Sequence, residues 1–112
     1  MKKIEAIIRP NLIEDLKEAL YKINVEGITI SQVMGCGKQF GWKEYYRGNE
    51  ILMNTLPKIK VEIVVDDDRA ESIIETICAV NQTGEIGDGK IFVYNVEECI
   101  KIRTGEKGEA AL

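Results

Sequence analysis

Lys58-Ile59-Lys60-Val61-Glu62-Ile63-Val64-Val65 runs directly into Asp66-Asp67-Asp68, and the reading of this stretch decides the fold. Ile59, Val61, Ile63 and Val65 fall on one side of an extended chain, with Lys58, Lys60 and Glu62 on the other, the period of a half-buried strand. The three aspartates suit a helix N-terminus, where free N–H groups and the helix dipole favour negative charge. Ala70, Ile73, Ile74, Ile77 and Cys78 then recur at helical spacing. Ile91 to Val96 is apolar enough to be a further strand.

The same grammar occurs earlier in the chain. Lys3 to Arg9 alternates, with Ile4, Ala6 and Ile8 on one face and Lys3, Glu5 and Arg9 on the other. Ile7 interrupts the polar face, and Pro10 ends the strand. Asn11 with Glu14 three residues on has the pattern of a helix-capping pair. Leu12, Ile13, Leu16, Ala19, Leu20 and Ile23 form the stripe of the helix that follows, and Gly27 separates it from a strand over about Ile28 to Met34. Two βαβ halves of similar length predict an α+β, ferredoxin-like split βαβ sandwich (βαββαβ): four antiparallel strands with two helices on one face. At 112 residues, 1–112 reads as a single domain.

Composition narrows the function. A net charge of -4 argues against general nucleic-acid binding, which needs a dominant basic surface. No apolar stretch approaches a membrane span, and the opening Lys2-Lys3 is not that of a signal peptide, so a cytoplasmic protein is expected. Cys36, Cys78 and Cys99 form no C-x-x-C and read as small packing residues in a reducing compartment. The absence of histidine removes a common zinc ligand and the usual general base near neutral pH. No nucleophile stands at a readable spacing from a base. These features favour binding and regulation over an enzyme.

Three segments exceed a minimal sandwich. Thr83-Gly84-Glu85-Ile86-Gly87-Asp88-Gly89-Lys90 joins helix to strand; its glycines let backbone N–H groups approach an anion, and Lys90 adds a positive charge. Gly84-x4-Gly89-Lys90 meets most of the P-loop pattern, but Ile91 replaces the magnesium-binding Ser or Thr and the strand-helix order is reversed. This is either a phosphate-binding turn of another design or an αβ connection without a ligand. Residues 37–56 carry Trp42, Tyr45, Tyr46 and Arg47, residue types that anchor interfaces, so they read as a mobile partner-binding arm or a β-ribbon packed on its own molecule. The tail from Lys101 is either a solvated end or a flap that brings Lys101 and Arg103 to an anion.

Together these residues resemble the PII family of nitrogen-regulatory signal transducers. The strongest motif is Thr83-x-x-x-Gly87-Asp88-Gly89-Lys90-Ile91-Phe92-Val93, followed by Ile100-Lys101-Ile102-Arg103-Thr104-Gly105. The opening Met1 to Pro10 and the central Leu56 to Glu62 agree as well. The resemblance implies a homotrimer that senses ATP, ADP and 2-oxoglutarate and controls transporters and enzymes of nitrogen metabolism through a long T-loop. The T-loop would be about 37–56, the B-loop about 82–90 and the C-loop about 101–112. The nucleotide would lie between subunits, its phosphates against Gly37, Lys38, Gly87, Asp88, Gly89 and Lys90. Lys101 and Arg103 would arrive from the adjacent chain, and Thr29 and Val64 would contact the adenine. Magnesium would be held by the phosphates and Gln39 and completed by 2-oxoglutarate, which would also meet Phe40, Gly41, Lys58 and Gly87. Trp42, Tyr45, Tyr46 and Arg47 would face targets such as an ammonium transporter or glutamine synthetase, so that a membrane is reached only through the transporter.

Several positions depart from the family pattern. Tyr46-Arg47-Gly48-Asn49-Glu50-Ile51 ends without the tyrosine that is uridylylated in many members; Ile51 has no hydroxyl to modify. Asn49 replaces a serine that some relatives phosphorylate. Lys38 and Lys101 stand where arginine is common, which keeps the charge but loses the bidentate fork. Phe40 is unusual at the loop base. Two other classes share the sandwich: an RNA-binding domain, suggested by Gly89-Lys90-Ile91-Phe92-Val93-Tyr94, and a small acylphosphatase-like enzyme using Arg9.

Overall fold

The computed structural model of the protein describes residues 1–36, 42–46, 49–53 and 55–112. In chain order its elements are β1 (Lys2–Ile8), α1 (Ile13–Lys22), β2 (Thr29–Cys36), β3 (Trp42–Tyr46), β4 (Asn49–Met53), β5 (Thr55–Val65), α2 (Asp67–Asn81) and β6 (Lys90–Asn95). The main sheet is ordered β2-β5-β1-β6 with every neighbouring pair antiparallel. The expected βαββαβ sandwich is the fold observed. Ile4, Ala6 and Ile8 of β1 and Val61 and Ile63 of β5 are buried with Leu16 and Leu20 of α1 and Ile73 and Ile77 of α2. Each such fully buried Leu or Ile contributes about 1.5–3 kcal/mol, the main force against chain entropy in a domain this small.

Helix boundaries differ from the sequence reading for local reasons. Pro10–Leu12 forms a 3-10 turn and α1 begins at Ile13, with no side-chain capping bond. Asn11 and Glu14 are therefore not a capping pair; Glu14 instead meets Lys17 at 3.2 Å. At the other end, the stop is Asn24 rather than Gly27. Asn24 adopts a φ of 64°, a left-handed conformation that asparagine tolerates, and Val25 N–H returns to Leu20 O at 3.0 Å. Arg69 of α2 donates to the carbonyls of Ile23 and Asn24, tying the end of one helix to the start of the other.

β5 begins at Thr55, earlier than its alternation indicates, because β2 continues to Cys36 and pairs with it as far as Thr55. Pro57 is accommodated beyond Ile59, where β1 no longer pairs with this strand. Within the long connection β3 and β4 form a ribbon, Trp42 opposite Met53 and Tyr46 opposite Asn49. Gly37, Lys38, Gln39, Phe40, Gly41 and Arg47 lie outside the described residues. No helix among the described residues is long and apolar enough to cross a membrane.

The tail is an ordered hairpin. Ile100 bridges Lys107, Lys101 N–H donates to Glu106 O at 2.9 Å and Gly105 N–H to Lys101 O at 2.7 Å. A 3-10 turn, Gly108–Ala111, then buries Ala111. Glu109 and Leu112 line a cleft with Gly27, Val64 and Asp66, which anchors the tail at the Val65 end of β5.

Candidate functional site

The turn between α2 and β6 is organised by a single carboxylate. Asp88 accepts from the backbone N–H of Thr83 at 2.8 Å and of Gly84 at 2.9 Å, from the Thr83 hydroxyl, and from Arg9 Nη1 at 2.7 Å. Gly84, Gly87 and Gly89 take φ values of 86°, 109° and 98°, open to glycine and strained for other residues. The Thr83 hydroxyl, then the two backbone donors and the Arg9 charge, hold the Asp88 carboxyl down to about 2 against an ordinary 3.8. Asp88, one of the residues the family resemblance sets against phosphates, has its carboxylate engaged inside the turn.

A pH dependence follows from the sign of that shift. A carboxyl whose folded value is depressed stabilises the turn fully above its unfolded value and loses this as the pH falls through the folded one. The turn is expected to stay ordered from neutral pH to below 3.8 and to loosen only near pH 2. A carbon-detected NMR titration of the Asp88 carboxyl checks this; a midpoint near the ordinary value would contradict it.

Lys58 is the residue most misplaced by strand alternation. It does project from the helix-free face of β5, as predicted, but it is only 7 % exposed because the turn covers it. Its ammonium donates to Gly87 O at 3.0 Å. Burial, followed by the nearby Arg9 charge, pushes its pKa down. A cation held in this way gains from a bound anion. Beside it Arg9, Pro10, Leu56, Pro57 and Ile86 line an open cleft of about 500 Å³ at the base of the long connection.

The remaining predicted residues lie at the other end of the sheet. β6 enters at Lys90 opposite Ile7 and leaves at Asn95 opposite Lys2, five residues and about 17 Å further along. Val64 stands opposite Lys3, and Thr29 opposite Glu62. Lys101 and Arg103 belong to the tail hairpin at this second end. Lys101 Nζ lies 3.8 Å from Glu106, while Ile102, at 99 % exposure, and Arg103 project from the tip. One chain therefore gathers Lys58 with Gly87, Gly89 and Lys90, and separately Thr29 and Val64 with the tail. It does not bring the two groups together. Trp42, Tyr45 and Tyr46 are placed on β3 by their backbone alone.

The face of the sheet opposite the helices carries Lys3 paired to Glu62 at 2.7 Å, Lys60 near Glu5 at 3.7 Å and the Tyr94 hydroxyl donating to Glu5 at 2.8 Å. Phe92 and Tyr94 are about half exposed there. Carboxylates among the aromatics repel nucleic-acid phosphates, which weighs against RNA. Arg9, the residue on which an acylphosphatase reading relied, is already bound to Asp88. Sequence reasoning missed this role of Arg9, and the Thr83–Asp88 spacing around glycines was its only local trace.

The described residues form an α+β, ferredoxin-like sandwich with a glycine-rich turn set above a covered lysine. Residues 1–106 match the family model "Nitrogen regulatory protein P-II". Over 112 residues, covering all of both chains, the sequence is 54 % identical to nitrogen regulatory protein P-II of Rhizobium meliloti and 53 % identical to that of Rhodospirillum rubrum. It is 50 % identical, again over both full lengths, to nitrogen regulatory protein P-II 1 of Escherichia coli K12. The chain belongs to the nitrogen regulatory protein P-II family. It is a nitrogen-regulatory signal transducer and not an enzyme, which removes the RNA-binding and acylphosphatase alternatives.

Proposed function

We propose that the protein senses adenine nucleotide and 2-oxoglutarate and reports them to nitrogen-metabolism targets through its long connection. The observation that carries this reading is the turn over 83–89, whose left-handed glycines stand beside Lys90 and the covered Lys58. ATP carries roughly three to four negative charges, and backbone N–H groups plus several cations are needed to offset their desolvation. The turn of one chain supplies too few. Lys101 and Arg103 would come from a neighbouring copy, because in their own chain they lie at the far end of the sheet. A homotrimer, its helix-free faces turned toward each other, would place one copy's tail at the next copy's turn.

Mg2+ would ride on the phosphates with Gln39, and Lys58 would pair with a carboxylate of 2-oxoglutarate in the cleft below the long connection. If 2-oxoglutarate binds only with Mg-ATP in place, linkage makes the pair a joint report of energy and carbon state. The cleft lies at the base of the arm, so its occupancy biases the arm's conformations. Trp42, Tyr45, Tyr46 and Arg47 would meet the target, an ammonium transporter or glutamine synthetase, with Arg47 suited to enter a narrow pore. Ile51 cannot be uridylylated, so this switch runs on ligands alone at that position. Calorimetry with Mg-ATP, with and without 2-oxoglutarate, tests the proposal. Micromolar binding of ATP that 2-oxoglutarate strengthens is expected; a folded oligomer that takes up no nucleotide would refute it.

A further inference from the structure

We propose that Arg9 is a positioning residue that sets the 83–89 turn in its anion-binding shape, acting on the nucleotide through Asp88 and not by contact with it. Arg9 leaves the end of β1 and spans the turn. Its Nη1 donates to Asp88 Oδ1 at 2.7 Å and to Thr83 Oγ1 at 3.0 Å, and its Nη2 donates to Ile86 O at 2.9 Å. The three acceptors come from the start, crest and end of one short loop. Only a planar fork with several fixed N–H donors can hold all three at once. Asp88 closes the same loop from inside through Thr83 and Gly84, and Glu85 N–H adds a bond to Thr83 Oγ1 at 3.2 Å. Gly87 is thereby held between anchored neighbours, its carbonyl turned to Lys58. A glycine-rich loop without such bracing would lose much of its affinity to ordering entropy on binding.

The inference rests on the nucleotide reading and makes a counterintuitive demand of it. Simple electrostatics says that removing a carboxylate beside a phosphate site tightens anion binding. Bracing predicts the reverse. Asp88→Asn should weaken ADP binding by about tenfold, the scale set by losing a charge-assisted hydrogen bond. Arg9→Gln should do the same, and the double variant should bind no worse than either single one, because both break one brace. Affinity for adenosine, which lacks phosphates, should not change. Arg9→Lys, the milder variant should Arg9→Gln fail to fold, keeps the charge but not the fork. It should still lose several-fold in ADP affinity.

Amide hydrogen exchange across 83–89 supplies a readout that needs no ligand: both Asp88→Asn and Arg9→Gln should speed it while leaving β1 and α2 protected. ADP binding that is unchanged or tighter in Asp88→Asn would overturn the proposal, as would an equal loss of ADP and adenosine affinity. If the natural protein binds no nucleotide, the nucleotide reading falls separately. Exchange then decides alone, and undisturbed protection in both variants sinks the brace.

Discussion

Replacing Gly89 with alanine is expected to destabilise the protein by more than about 3 kcal/mol and to abolish nucleotide binding. Two terms act together. The φ of 98° is strained for any residue with a Cβ, and the new Cβ would lie 1.7 Å from the backbone oxygen of Ile7. No side-chain rotation relieves a collision with backbone. The chain must retreat from β1 at the point where Lys90 pairs with Ile7, so the first rung of β6 opens and the turn loses its footing. Gly84 is the control. Its φ is 86°, yet nothing lies within 4 Å of a Cβ built there. Gly84→Ala should cost only about 1 kcal/mol, the backbone term alone. Denaturant midpoints of the two variants measure the difference directly; equal midpoints would show that close approach to Ile7 is not what position 89 requires.

The sandwich was legible because its two periodicities are local. Alternation marked β1 and β5, helical spacing marked α1 and α2, and one buried face per element leaves few ways to combine them. What failed to show was whatever depends on a residue far away in sequence. Lys58 alternates like a solvent-facing lysine and does lie on the helix-free face. Its burial comes from a turn 29 positions further on, which alternation cannot see. Arg9 looked like the polar end of a strand, yet its partners lie 74 to 79 positions away. The Asn11–Glu14 pattern misled for the opposite reason: it was local, but Pro10 tightens that turn into a 3-10 form before the cap can act. In the tail, the hairpin is closed by backbone bonds together with the Glu98, Thr104 and Glu106 side chains, pairings that follow neither the strand nor the helix period, so a flap and an ordered loop read alike.

Co-assembling two defective chains is expected to restore nucleotide sites that neither chain forms alone. Lys90 sits where β6 begins, whereas Arg103 belongs to a hairpin anchored beyond the strand's other end. If both cations serve one triphosphate, they come from different molecules. Lys90→Glu damages every turn and Arg103→Glu every tail, so each variant by itself should show no measurable ADP or ATP binding. In a randomly mixed ring a site is intact when the Arg103→Glu chain supplies the turn and the Lys90→Glu chain supplies the tail. That combination makes up roughly a quarter of sites in a cyclic homo-oligomer. Titration of the mixture should therefore show about a quarter of the natural stoichiometry at close to the natural affinity, the remaining sites being silent. A pocket built within one chain behaves differently, since every chain in the mixture carries one lesion and no site recovers. Zero recovery in a verified mixed oligomer, alongside normal binding by the unaltered protein, would place both cations in the same subunit and end the shared-cleft account.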